Sequence, residues 1–163
     1  MSDPLAAERD RLEKNKAIVR RMLEAFNTGD TKVVEELIAP NIADVATLHG
    51  YEEHERTMPV PERVQTEVAL SKESFPDKEF KVESIIAEGD TVLLRWSFTG
   101  THTGTLFGRK ATGKKVKVKG YDMVRIQDGK IVGHDDDGVH VLLLLQQLGW
   151  LDAEMLRKVG IEE

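Results

Sequence analysis

Two hairpin patterns in the second half of the chain constrain its fold more than any other feature of the sequence. Apolar and polar residues alternate over residues 78–102 about a Gly89–Asp90 turn, and again over residues 114–136 about Asp128–Gly129. Alternation on both sides of a glycine-containing turn is typical of antiparallel hairpins with one buried face. The apolar residues that share the predicted inner face are Val92, Leu94, Trp96 and Phe98, then Val116, Val118, Val124 and Ile126.

Helical periodicity dominates the first half of the chain. It predicts a helix over about residues 5–27, a short second helix capped by Asp30, and a third from Pro61 to about Ser74. Residues 41–60 have no clean period and predict a loop or short strand, whereas a helix is expected over Val139–Leu148. Helices followed by an antiparallel meander indicate an α+β domain with helices on one face of a curved sheet.

Composition narrows the class of protein. We interpret residues 1–163 as one domain, with a helical extension at 1–14 and a helical tail at 150–163. The net charge of −6 argues against a nucleic-acid partner, and no apolar run is long enough for a membrane span. Because cysteine is absent, disulfides, zinc–thiolate sites and cysteine nucleophiles are excluded. The charged N-terminus does not fit a signal peptide, which favours a cytoplasmic protein.

Several strings carry a family resemblance: NKAIVRRMLEAFNTGD, FPD, VESIIAEGDTVLLRWSFTGTHTG, ATGKKVKVKGYDMVRIQDGKIVGH and LLQQLG. In this order, over about Asn15 to Gly149, they resemble the SnoaL-like polyketide cyclases of the nuclear transport factor two-like superfamily. The resemblance implies a cone-shaped fold whose curved sheet wraps around the helices and leaves an apolar pocket. It also implies a small apolar or aromatic ligand, no cofactor, and a homodimer through the outer sheet face.

The stretch GHDDDGVHV departs from that family. Members tend to have Glu-His-Trp-Asp after the last strand's Lys-Ile-Val and an acid/base aspartate near the strand's end, but here Gly133 and Asp135 replace the glutamate and the tryptophan. Counting from Ile131 puts the late aspartate at Val139, and counting back from Gly149 puts it at His140. The disagreement of one residue implies a bulge or shift.

Strand parity suggests which side chains replace the family's carboxylate. If Ile131 faces inward, Gly133, Asp135 and Asp137 follow it, while His134 and Asp136 face away. A bulge would turn His140 toward Asp135 and Asp137, and burial and mutual repulsion would raise the carboxylate pKa values, as a general base requires. The alternative is an exposed turn whose aspartates cap the following helix.

Asp122 is a further catalytic candidate, because it is the lone acid in register with the apolar residues of its strand. The alternative for Asp122 is a buried acid satisfied by a neighbouring donor. Substrate-binding candidates are Trp96, Asp44, Tyr51, Gly133 and Leu143. Trp96 could equally be a core residue, and His102 is expected to hold a turn. The spacing of His134, Asp135, Asp137 and His140 matches no compact metal motif, so no metal is predicted.

Three classes of function remain open from the sequence. The first is a cofactor-independent enzyme that removes a proton next to a carbonyl, leading to cyclisation or isomerisation. A variant of it is a scaffold with a rebuilt pocket, such as an engineered proton-transfer catalyst, because the pocket positions depart from the family together. The second class is a non-catalytic small-molecule binding protein, and the third is a dimeric interaction module that uses the outer sheet face.

Overall fold

The computed structural model describes residues 3–40, 42, 57–136 and 138–159. The helices are α1 (Pro4–Thr28), α2 (Lys32–Leu37), α3 (Val60–Ser74), α4 (Val139–Leu148) and α5 (Ala153–Lys158). The strands are β1 (Glu79–Glu88), β2 (Thr91–Thr101), β3 (Lys115–Gln127) and β4 (Lys130–Asp136). The α+β fold class predicted from the sequence is therefore confirmed.

Local signals at the helix ends account for the N-terminal layer. The Asp3 side chain accepts the Leu5 N–H at 3.0 Å, Pro4 occupies the first turn of α1, and Gly29 ends this helix with φ of 80°. The Asp30 side chain accepts the Lys32 N–H at 3.1 Å, although the residue at the N-cap position of α2 is Thr31. Asp30 thus helps to begin the second helix, one residue earlier than the cap position itself.

The strands form one antiparallel sheet in the order β1-β2-β3-β4. All eight apolar residues predicted to share the inner face are buried, and Lys117, Lys119 and Arg125 on the opposite face are exposed. Residues from the helices pack on the inner face and complete a single core, among them Val19, Met22, Val34, Val68 and Leu145. The helices therefore cover one side of the sheet, as predicted.

The outer face of the sheet is apolar at its centre. Ile86 pairs with Leu93, Leu93 pairs with Met123, and all three side chains are exposed, as is the nearby Tyr121. Such a row is compatible with the homodimer that the resemblance implies, which stays a prediction. Among the helices of the described residues, none is both long and apolar enough to cross a membrane.

Gly120 lets the Trp96 side chain lie flat on the inner face of the sheet. A Cβ atom at Gly120, which pairs with Trp96 across β2 and β3, would lie 2.3 Å from Cζ2 of the indole. We expect Gly120→Ala to lower the free energy of unfolding by about 1–3 kcal/mol, because the indole must move within a packed core. Urea unfolding measures this change.

Gly133→Ala is the matched control for that measurement. The nearest atoms to its Cβ would belong to the flexible Arg125 side chain, none closer than 3.4 Å, so we expect a change within about 0.5 kcal/mol. Equal losses in the two variants would contradict the argument from the indole contact.

Candidate active site

A bulge in β4 decides which side chains face the interior. Arg125 pairs with Gly133 and the next residue, Ile126, pairs with Ile131, so Val132 has no counterpart on β3. One extra residue in a strand reverses the facing of every residue beyond it. His134 consequently pairs with the buried Val124, and Asp136 pairs with Asp122. The inner row after Ile131 therefore contains His134 and Asp136.

The predicted orientation of β4 is wrong for this reason. Asp135 pairs with Met123 on the outer face and is exposed, and a Cβ on Gly133 would contact the outer-face Arg125. Neither residue lines the interior at these positions. Of the remaining candidates, Asp137, Asp44 and Tyr51 lie outside the described residues. Leu143 is exposed on α4, so its part in ligand binding stays a prediction.

Asp122, His134 and Asp136 form what we call the inner cluster. Each contributes one polar atom, a ring nitrogen of His134 or a carboxylate oxygen of the aspartates, and these atoms all lie within 4.8 Å of one another. Nε2 of His134 is 3.6 Å from Oδ2 of Asp122, and only 16% of the Asp122 side chain is exposed. The prediction that Asp122 faces the apolar side of its strand is confirmed. Its close neighbour His134 was predicted to face away.

Asp136 has the electrostatics expected of a base. Burial raises the pKa of Asp136 above its ordinary value, and the negative charge of Asp122 adds to this effect. The charges of His140 and His134, together with the Gly138 N–H, act in the opposite direction without cancelling it. Oδ1 of Asp136 accepts this N–H at 2.7 Å, just before α4 begins. The carboxylate is thus oriented by the turn that leads into the helix.

The acidic neighbours of His134 raise its pKa. Burial alone would lower the pKa of His134, but the interaction with Asp122 and the negative charges of Asp122 and Asp136 outweigh burial and raise it above its ordinary value. An imidazolium between carboxylates can donate a proton or a hydrogen bond. The inner cluster therefore combines a carboxylate of raised pKa with an acid a few ångströms away.

Glu67 on α3 faces the inner cluster from the helical layer and was missed in the sequence. Burial raises the pKa of Glu67 to about 8, the charge of Asp136 raises it further and that of His134 opposes the shift. At neutral pH this carboxyl is therefore mostly protonated. One signal was available: Glu67 stands three residues after Val64 and next to the buried Val68, on the apolar stripe of its helix.

Trp96 and His140 border the inner cluster. Trp96 lies on the inner face of β2, as predicted, and is 5% exposed. The centre of its indole is 5.0 Å from that of the His140 ring, with the rings at 73°. His140 is in the first turn of α4, close enough for its charge to act on Asp136. His140 was predicted to lie beside Asp135 and Asp137, but its described carboxylate neighbour is Asp136, and Asp135 lies on the outer face.

His102 has a structural environment, as expected. Its ring is fully buried, and Nδ1 accepts the Thr112 N–H at 3.0 Å. The ring also packs against Phe75 and Trp150, with centre-to-centre distances of 5.3 and 5.0 Å. Burial lowers the pKa of His102, which keeps the imidazole neutral. It therefore holds the connection between β2 and β3.

The inner cluster can also be compared with a metal site. Two carboxylates and one imidazole are common ligands of divalent cations, and the spacing of their atoms is close enough for a shared ion. The raised pKa of His134 works against this use, because an imidazole must be neutral to bind a metal.

Comparison with known proteins agrees with the fold. The family model of the SnoaL-like polyketide cyclases matches residues 16–148. The chain is 36% identical over 121 residues to the aklanonic acid methyl ester cyclase DauD of Streptomyces sp. strain C5, covering 73% of this chain and 72% of DauD. The identity is also 36% to DnrD of Streptomyces peucetius, a cyclase of the same name, covering 73% and 80%.

A solved structure has the same architecture at lower sequence identity. TsrD from Streptomyces laurentii superimposes with a TM-score of 0.70 at 22% identity, covering 85% of this chain and 97% of TsrD. The match to the family model and the identity to the two cyclases show that the chain belongs to the SnoaL-like polyketide cyclase family.

Proposed function

We propose that this protein is a cofactor-independent cyclase that removes a proton from a carbon next to a carbonyl group and thereby starts ring closure. The observation that carries the proposal is the convergence of Asp122, His134 and Asp136 on the inner face, with their ligand atoms within 4.8 Å of one another. A base of raised pKa beside an acid is the combination that such a reaction needs.

The residues have distinct roles in this proposal. Asp136 is the base, because its pKa is raised and its side chain faces the interior. The Asp122–His134 pair keeps an imidazolium beside it, which returns a proton to the oxygen that becomes a hydroxyl on ring closure. Glu67 stays protonated at neutral pH and so adds no second negative charge next to Asp136. The predicted catalytic use of Asp122 and His140 is thereby retained, with Asp136 in place of Asp135.

The relatives suggest the class of substrate. DauD and DnrD are named for aklanonic acid methyl ester, and a further relative from Streptomyces nogalater, 33% identical over 116 residues, is named for nogalonic acid methyl ester. We therefore expect a polyketide ester with an apolar, aromatic body. The indole of Trp96 on the inner face supports such a ligand, because aromatic rings prefer edge or offset contacts with one another.

A direct assay tests this function. The purified protein is dialysed against EDTA and incubated with aklanonic or nogalonic acid methyl ester in D₂O. The products are then separated, and their masses are measured by mass spectrometry. We expect conversion to a ring-closed isomer at a rate that added Zn²⁺ or Mg²⁺ does not raise. Solvent deuterium should also enter the carbon next to the carbonyl of unconverted substrate when proton removal is reversible.

The same assay separates the competing classes. Binding of the ester without conversion or exchange would favour the non-catalytic binding protein. Turnover that appears only when the metal is restored would contradict cofactor independence. Conversion of an activated model carbon acid, but of neither ester, would favour the rebuilt proton-transfer catalyst.

A further inference from the structure

Two buried nitrogen atoms beside the inner cluster have no hydrogen-bond partner among the described residues. They are Nε1 of Trp96 and Nδ1 of His140. Leaving a buried polar atom unpaired costs about 1–3 kcal/mol, and the great majority of such atoms in native proteins are paired. Two unpaired atoms on adjoining rings therefore need an explanation.

The framework fixes where the indole N–H of Trp96 lies. The indole rests against Gly120, where there is no room for a Cβ, and its ring meets Phe80 with centres 5.5 Å apart. The ring of His140 approaches from α4 with centres 5.0 Å apart.

The position of this ring pair relative to the inner cluster follows from the strand register. Leu94 pairs with Asp122, and Trp96 pairs with Gly120 two residues further along the same two strands. Trp96 and Asp122 are therefore diagonal neighbours on one face of the sheet, a separation of about 7–8 Å. His140 lies close enough to Asp136 for its charge to lower the pKa of that carboxyl. A carbonyl oxygen at the ring pair would place the neighbouring carbon near the base.

We propose that Trp96 Nε1–H and His140 Nδ1 together bind the carbonyl oxygen of the substrate, on which negative charge develops during proton removal. This inference rests on the proposed function and names the oxygen-binding part of the same site. The carbon–hydrogen bond breaks, its electron pair forms the enolate, and the proton passes to Asp136. The oxygen accepts one hydrogen bond from the indole and a second from His140 in its Nδ1–H form, and no bond to either ring is made.

Trp96→Phe tests the indole donor. We expect kcat to fall by about 10- to 100-fold with KM changed by less than about threefold, because the lost hydrogen bond is strongest when the oxygen is charged. Trp150→Phe is the matched control, since Trp150 is similarly buried and packs against His102. We expect its kcat to stay within about twofold of the wild type, a loss well below that of one oxyanion donor. Equal losses in the two variants would overturn the proposal.

His140 provides a second test that does not depend on the folding of the Trp96 variant. His140→Leu should lower kcat, whereas His140→Asn should recover part of it, because the asparagine amide can place a donor near the position of Nδ1. Both are compared at the plateau of the pH profile, since loss of the His140 charge alone raises the pKa of Asp136. Identical kcat values for the two variants would overturn the role of Nδ1.

A binding experiment separates this inference from the proposed function. The wild type should bind 2-naphthol about 3- to 10-fold more tightly than 2-fluoronaphthalene in calorimetry, since one hydrogen bond contributes about 0.5–1.5 kcal/mol. Trp96→Phe should abolish that preference and Trp150→Phe should keep it. This pattern without cyclase turnover would leave the oxygen-binding pair standing and the cyclase proposal refuted. Turnover without the preference would refute the pair alone.

Discussion

Asp136→Asn should lower kcat of the proposed cyclisation by about 10²- to 10⁴-fold, the usual contribution of a general base. An amide cannot accept the proton from carbon, but its oxygen can still accept the Gly138 N–H that Asp136 now binds at 2.7 Å. The turn into α4 should therefore survive the substitution. Circular dichroism and the thermal midpoint check that it does, and initial rates with aklanonic acid methyl ester measure the loss.

Asp135→Asn is the matched control, one residue away on the same strand. Because Asp135 is exposed beside Met123 on the outer face, its variant should keep kcat within about twofold, far from the loss of a general base. If only the Asp135 variant lost activity, the side chains of β4 would alternate without a bulge and Asp135 would face the interior. The bulge at Val132 would then be refuted along with the role of Asp136.

The pH profile adds an independent check on the same residue. Since burial raises the pKa of Asp136, the rising limb of kcat/KM in the wild type should lie above the ordinary aspartate value of 3.8. The falling limb should lie above 6.5, where His134 loses its proton. The residual activity of Asp136→Asn should lack the rising limb. A rising limb of the wild-type profile at the ordinary aspartate value would contradict the assignment of Asp136 as the base.

Glu67→Gln should make the protein more stable at high pH, by about 3–5 kcal/mol near pH 9. The pKa of Glu67 is about 8 in the folded protein against an ordinary value of 4.5, so the folded state binds more protons than the unfolded state between these values. The free energy of unfolding of the wild type must therefore fall as pH rises through that window. Glutamine is never charged and avoids that loss.

Urea unfolding at several pH values between 4 and 9 measures the effect. The Glu67→Gln curve should meet the wild-type curve near pH 4 and lie above it near pH 9. Its slope need not vanish, because the raised pKa of His134 also removes stability as pH rises above 6.5. Glu73→Gln, at an exposed position near the end of the same helix, should follow the wild type. Parallel curves for wild type and Glu67→Gln would refute the burial argument.

Much of the architecture could be predicted because its signals are local and repeated. The inner-face residues of β2 and β3 recur at every second position, and the turns at Gly89–Asp90 and Asp128–Gly129 join the paired strands of each hairpin. The helices begin and end at Pro, Asp and Gly signals that act within one turn. Such features do not depend on distant parts of the chain.

The inner cluster could be predicted only in part, because one extra residue changes the facing of everything beyond it. The two counts that placed the family's late aspartate at Val139 and at His140 did reveal an insertion of one residue. They did not reveal the bulge at Val132, which makes His134 and Asp136 face inward in place of Asp135. Glu67 was missed for a different reason, since its burial depends on the packing of α3 over a distant strand.

The unpaired Val132 bears on how chemistry diverges in proteins of this shape. Deletion of that single residue would make Asp135 face the helices and His134 and Asp136 face the solvent, although no residue beyond it would change. A length change in one edge strand can thus exchange an entire set of reactive groups at once.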